Sequence, residues 1–190
     1  MQSRDLYDTY HEGKHWYAHP AQYAESFADF LMEHSFEGPL IDIGCGSGRD
    51  VDFFHAVGLD ALGIDSSEAE IRGARERFPD SRFEIQDAEH LAFPDGSVGA
   101  FFMINIIHYL DQKLALRGIF MALRPGGHLF VHFNLEIKDG NGTIDYFQKE
   151  GDILSSVSDF EIIRKRELER IDQLPKPHTH RILELILQKK

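Results

Sequence analysis

Residues 40–50 read Leu40-Ile-Asp-Ile-Gly44-Cys-Gly46-Ser-Gly48-Arg-Asp50. A short apolar run enters three glycines spaced two apart. A stretch with Val51, Phe54 and Val57 on one helical face follows, with Gly58 placed to end it. The pattern predicts a strand that turns through a tight loop into a helix. Glycine is needed where a backbone must turn sharply or approach a ligand with no Cβ in the way.

Outward from this loop, apolar runs alternate with helix-like stretches as far as Phe133, the mark of parallel strands joined by crossover helices. Strands are expected at 39–43, 60–64, 82–86, 98–104 and 127–133. Val98-Gly-Ala-Phe-Phe-Met-Ile104 is the clearest, continuously apolar as a strand covered on both faces should be. Ser67 with Glu70 makes a capping box, followed by Ile71, Ala74 and Phe78 on one face. A further helix is expected from about Tyr109 to Leu123, where Pro125-Gly126-Gly127 turns the chain into the fifth strand. Residues 20–34 predict a helix packed on the sheet, 145–157 a helix, and 159–170 and 180–189 a closing strand pair. The whole is expected to be one α/β domain over 1–190, a doubly wound, mostly parallel seven-stranded sheet with its last strand antiparallel. Within it, 1–38 is a helical lid segment, 39–133 a ligand-binding core, and 134–190 a helix and strand pair.

The composition narrows the partners. The chain has 190 residues, one domain's worth, and 20 Lys+Arg against 32 Asp+Glu give a net charge of -12. Such a balance opposes the phosphate neutralisation on which nucleic-acid affinity rests, so no nucleic acid is expected. One cysteine, Cys45, excludes an internal disulfide and any multi-thiolate metal site. No window approaches the ~18 apolar residues of a membrane helix, and no apolar stretch opens the chain, so no membrane is expected and a cytoplasmic location is. Among 11 histidines, His178-Thr-His180 puts two on one face of a strand. No carboxylate adjoins them in sequence, and no metal is expected.

A dinucleotide loop would place its third glycine where Arg49 stands, and a P-loop lysine is absent. Asp42 and Asp50 flank the glycines; they would repel a pyrophosphate but suit a cationic ligand. The run IDIGCGSG at 41–48 resembles the signature loop of class I S-adenosylmethionine-dependent methyltransferases, whose cofactor carries a sulfonium and an ammonium and no phosphate. Gly63-Ile-Asp65-Ser66-Ser67, Gln86-Asp87-Ala88-Glu89-His90-Leu91 and Leu123-Arg-Pro-Gly-Gly-His-Leu129 are similar to three further motifs of that family, in the same order. The resemblance covers about Leu40 to Phe133. It implies that Gly44, Gly46 and Gly48 pass beside the methionine part of the cofactor, with Asp42 near its ammonium. Asp65, with Ser66 beside it, would accept from the ribose hydroxyls, Asp87 and the Ala88 N–H would meet the adenine, and the Asn105 carbonyl the ammonium.

The same resemblance implies methyl transfer to a small molecule. Asn105-Ile-Ile-His108 lacks the prolines of enzymes that methylate amines of DNA or protein, and no cysteine stands where pyrimidine carbon methylation needs one. His108 and His132 are the candidates for base or acceptor positioning, with Asn134 beside them. Tyr10, Trp16 and Tyr17 would close over the acceptor. The plan of the chain is also loosely similar to small tellurite-resistance and thiopurine-type methyltransferases. The alternative expectation is a non-catalytic module that binds S-adenosylmethionine or S-adenosylhomocysteine, and a nicotinamide oxidoreductase is the third.

Overall fold

The computed structural model describes residues 20–34, 36–173 and 176–190. Its elements are α1 (Gln22–Glu33), β1 (Leu40–Ile43), α2 (Arg49–Ala56), β2 (Ala61–Asp65), α3 (Glu68–Arg77), β3 (Arg82–Ile85), β4 (Val98–Met103), α4 (Gln112–Ala122), β5 (Leu123–Asp139), β6 (Ile144–Phe147), α5 (Glu150–Ser156), β7 (Phe160–Asp172) and β8 (His178–Lys189). A single 3₁₀ turn, Ile107–Tyr109, links β4 to α4.

The strands lie in the order β3-β2-β1-β4-β5-β8-β7, with β6 added beside β5. β1 to β5 pair in parallel; β8 is antiparallel to both β5 and β7. The chain therefore reverses direction across the sheet on leaving β3 for β4. In open α/β sheets such a switch point is where a ligand crevice forms, outside the carboxyl ends of the strands, here β1 and β4.

Burial on both faces follows from strand alternation. Leu40, Ala100, Phe102, Phe130 and Ile186 meet α1, α2 and α3 through Phe27, Leu31, Phe54, Val51 and Ile71. Ile41, Phe101, Met103, Leu129, Val131 and Leu185 face α4 and α5 through Leu116, Ile119 and Ile153. Each such fully buried side chain contributes about 1.5–3 kcal/mol against the entropy of ordering the chain. Ser67 caps α3 by accepting the Glu70 N–H at 3.3 Å, as its capping box requires. Asp111 caps α4, accepting from Lys113 and Leu114, which starts that helix three residues after Tyr109.

Three expectations are corrected. The sheet has eight strands, not seven, because Ile144–Phe147 pairs with β5 (Glu136↔Phe147, Ile137↔Tyr146), taking in residues 145–147 where the expected helix over 145–157 begins. The helix there is confined to Glu150–Ser156. Val57 is 39% exposed, since α2 ends at Ala56 and Gly58, at φ +87°, turns the chain away. Tyr10, Trp16 and Tyr17 lie outside the described residues.

Candidate active site

The glycine loop sits at the carboxyl end of β1. Gly44 and Cys45 donate their N–H groups to the Ile64 carbonyl at 2.8 and 3.0 Å, which ties the loop to β2. Gly44, Gly46 and Gly48 all have positive φ (71°, 49° and 84°). Their surroundings differ. A Cβ at Gly44 would lie 2.5 Å from Ile106 Cδ1, and one at Gly48 2.6 Å from the Phe83 ring, so both are packed against protein. A Cβ at Gly46 would meet nothing within 4 Å among the described residues, which leave that side of the loop open.

Three carboxylates surround the loop, and all are buried: Asp42, Asp50 and Asp65. Burial, followed by the charge of Asp50, pushes the Asp42 carboxyl well above its usual range, against the opposing charge of Arg49. Burial likewise raises Asp50, whose Oδ1 accepts the Ala21 N–H at 2.7 Å and lies 3.5 Å from Arg49 Nε. Asp65 accepts the Gly46 N–H on Oδ2 (3.0 Å) and the Ser67 N–H on Oδ1 (2.9 Å), leaving a lone pair on each oxygen. Ser66 beside it is exposed. Cys45 is buried, and burial together with the neighbouring acids pushes its thiol up, so it fills space and is no nucleophile.

At the next strand end, the Asp87 carboxylate folds onto its own turn. Oδ1 accepts the Glu89 N–H at 2.9 Å, and Oδ2 lies 3.0 Å from His90 Nδ1. Ala88 is buried behind it. Asn105, just past β4, has φ +60°, the only positive value outside glycine among the described residues. Its Oδ1 accepts from Arg170 Nη1 at 2.7 Å.

His108, just beyond β4, and Asn134, in the adjacent β5, come together: Asn134 Nδ2 is 3.0 Å from His108 Nδ1. On its other side Asn134 Oδ1 accepts from His180 Nδ1 at 3.0 Å. The amide thus donates to His108 Nδ1, which puts the proton of the neutral ring on Nε2. Burial, then the nearby His180 and Arg170, push His108 down to about 3. Its ring lies against Tyr109 and Tyr146, with centroids 4.0 and 5.8 Å away.

His132 is not in the crevice, which corrects its reading as a catalytic candidate. It shares the sheet face of Asn134 but stands two residues earlier along β5, under α1, where it is 2% exposed and meets Tyr23 edge-on. Its Nε2 is 3.1 Å from Glu184 Oε2, and Arg166 holds the same carboxylate through Nε and Nη2 at 2.5 and 2.9 Å. Arg170, Asp172 and His180 were not singled out for the site. The only signal was the His-x-His spacing, and what gathers them is the register of the β7–β8 hairpin, which spacing alone does not fix.

Residues 41–131 match a family described as a methyltransferase domain. Trans-aconitate 2-methyltransferase of Rhizobium meliloti (strain 1021) is 35% identical over 97 residues, spanning 50% of this chain and 37% of that protein. The chain thus aligns with little more than a third of the length of the curated relatives it matches. A solved S-adenosylmethionine-dependent methyltransferase from Methanosarcina mazei is 20% identical with a TM-score of 0.69, covering 83% of this chain and 96% of that one. Geranyl diphosphate C-methyltransferase of Streptomyces coelicolor A3(2), solved with Mg2+, geranyl diphosphate and S-adenosyl-L-homocysteine, is 15% identical with a TM-score of 0.67, covering 87% and 79%. These structural likenesses establish the fold. No described helix is long and apolar enough to cross a membrane.

Proposed function

We propose that this chain, which carries a class I S-adenosylmethionine-dependent methyltransferase domain over residues 41–131, transfers a methyl group to a small-molecule acceptor by in-line displacement. The observation that carries the reading is the loop itself: among the described residues, buried carboxylates in excess of Arg49, their one neighbouring cation, beside a glycine whose missing Cβ leaves room. Buried charges are tolerated when paired, so the loop favours a ligand that brings positive charge. When bound, S-adenosylmethionine supplies an electrophilic methyl on a sulfonium, and its ammonium supplies the missing cation.

In this reading Asp42 and Asp50 attract the ammonium, and the Asn105 backbone lies beside it. Asp65, its carboxylate fixed by two backbone N–H groups, offers its remaining lone pairs to the ribose hydroxyls, with Ser66 at the rim. Asp87 shapes the turn that presents Ala88 to the adenine. His108 faces the acceptor. Held at about 3, it is a poor proton acceptor at neutral pH, and with its proton on Nε2 it orients by donating. The favoured acceptor therefore arrives as a competent nucleophile, as a carboxylate does, and placement does the work. Tyr10, Trp16 and Tyr17 are proposed to cover it.

The test is thermal unfolding with S-adenosylmethionine, S-adenosylhomocysteine and NADH added separately, then mass spectrometry of a panel of small carboxylic and hydroxy acids. Stabilisation by the adenosyl ligands alone, with a mass gain of one methyl on an acceptor, is expected. No response to either adenosyl ligand overturns the reading. A response without any methylated product leaves the binding module.

A further inference from the structure

Asp172 and His178 are directly paired across β7 and β8, and His180 follows two residues on, on the same face. His180 Nε2 lies 3.3 Å and His178 Nε2 3.7 Å from Asp172 Oδ2, and the donor atoms of all three lie within 4.8 Å of one another. The second nitrogen of each ring is committed to an oxygen. His178 Nδ1 meets the Lys176 carbonyl at 2.8 Å, and His180 Nδ1 meets Asn134 Oδ1 at 3.0 Å. Those contacts place the ring protons on Nδ1 and turn both Nε2 lone pairs toward a carboxylate. His180 Nε2 is buried and makes no hydrogen bond among the described residues. With both rings neutral, two nitrogen lone pairs and a carboxylate that Arg170 contacts converge on one point, a donor set that a bound cation can use.

We infer that Asp172, His178 and His180 form a binding site for a divalent first-row transition ion of the zinc type. The donor separations suit it: bonds of about 2.0–2.1 Å in a tetrahedron give ligand-to-ligand edges of about 3.3 Å. Two imidazoles and one carboxylate select such ions over magnesium or calcium, which take oxygen ligands. The surroundings match too. Ligating histidines donate their other N–H to a carbonyl or carboxylate, and ligating carboxylates are themselves hydrogen-bonded. Here Arg170 holds Asp172 Oδ2 through Nε and Nη2 at 3.1 and 2.9 Å. The Arg170 charge lowers affinity, and the part-exposed edge at His178 admits the ion. An ion there fixes the Asn134 amide, and through it the tautomer of His108. The site does not depend on the methyl-transfer reading, because a protein indifferent to S-adenosylmethionine would still bind metal.

The test is titration of chelator-treated protein with Zn2+ against a chromophoric chelator, with Co2+ as a visible-absorbing probe and Mg2+ as the control ion. One equivalent of Zn2+ is expected, together with the intense ligand-field absorption of four-coordinate Co2+ and no competition by Mg2+. His178→Ala, His180→Ala and Asp172→Asn are each expected to weaken binding by more than about 100-fold, beyond what loss of an outer partner gives. His178→Ala lies at the part-exposed edge, so it keeps the test open if the buried variants fail to fold. The exposed cluster Asp87, Glu89 and His90 supplies the control, and His90→Ala is expected to change nothing. Absence of saturable binding, or equal loss in His90→Ala, overturns the inference.

Discussion

Alanine at Gly46 separates a loop that shapes a ligand site from one that only turns the chain. At φ +49° an alanine costs about 1–2 kcal/mol for the left-handed backbone. No clash with the described residues adds to this, since the new Cβ meets none of them within 4 Å. For a chain of this size the loss lowers the unfolding temperature by roughly 2–8 °C, and the protein still folds. Gly142→Ala is the control: its φ of +84° and empty surroundings give the same backbone cost in the β5–β6 turn, away from the crevice. In scanning fluorimetry, S-adenosylmethionine at a hundredfold excess over its dissociation constant adds about 2.7 kcal/mol. Wild type and Gly142→Ala are expected to show that rise and Gly46→Ala to lose it. Gly48→Ala adds overpacking against Phe83, about 1–3 kcal/mol more, and is expected to be the least stable of the three. An undiminished response in Gly46→Ala would refute the claim that a ligand lies against that glycine.

Glu184→Gln removes the carboxylate shared by His132 and Arg166 and is expected to cost about 3 kcal/mol in urea unfolding, the low end for a broken buried pair because Arg166 reaches water; a loss under 1 kcal/mol would show the pair to be idle. His108, His128, His132 and His180 are all held below the usual imidazole range, chiefly by burial. The unfolded chain therefore binds more protons, and stability should fall as pH drops below about 6.5. A urea midpoint that is flat between pH 7 and 5 contradicts this. Asn105→Ala should be about 1–2 kcal/mol less stable than Asn105→Gly, because both lose the Arg170 contact but only alanine strains at φ +60°; equal midpoints would show that the bend relaxes. Burial and the Asp50 charge raise Asp42, so a cationic ligand should expel protons there. Calorimetric heats of S-adenosylmethionine binding should then differ between buffers of different ionisation enthalpy, and identical heats would remove these carboxylates from the site.

The parallel core was legible because each of its strands is a compact apolar run ended by glycine, proline or a cap, all local signals. β6 was not: Ile144 and Phe147 are both exposed, and only the long reach of β5 past Asn134 gives that segment a partner. The site divides in the same way. The glycine loop, Asp42 and Asp65 lie within 26 residues of chain and announce themselves by spacing. His108 and Asn134 could be named but not joined, since their contact depends on where β5 bends. His132 was misplaced because it lies on the same face as Asn134 but two residues earlier along β5, where α1 covers it. Asp172 reaches His180 only through the hairpin register, which no local pattern encodes.

β8 is the last of the described strands in chain order and is seated between β5 and β7. Among the described residues β7 has β8 as its sole neighbour in the sheet, so its pairing there waits on residues 178–189. A nascent chain on the ribosome can therefore assemble the glycine loop and its neighbouring strands while one flank of β5 still lacks its cover. The order of synthesis and the order of pairing disagree at this edge, and shielding β5 from foreign strands in the interval falls to chaperones or to speed.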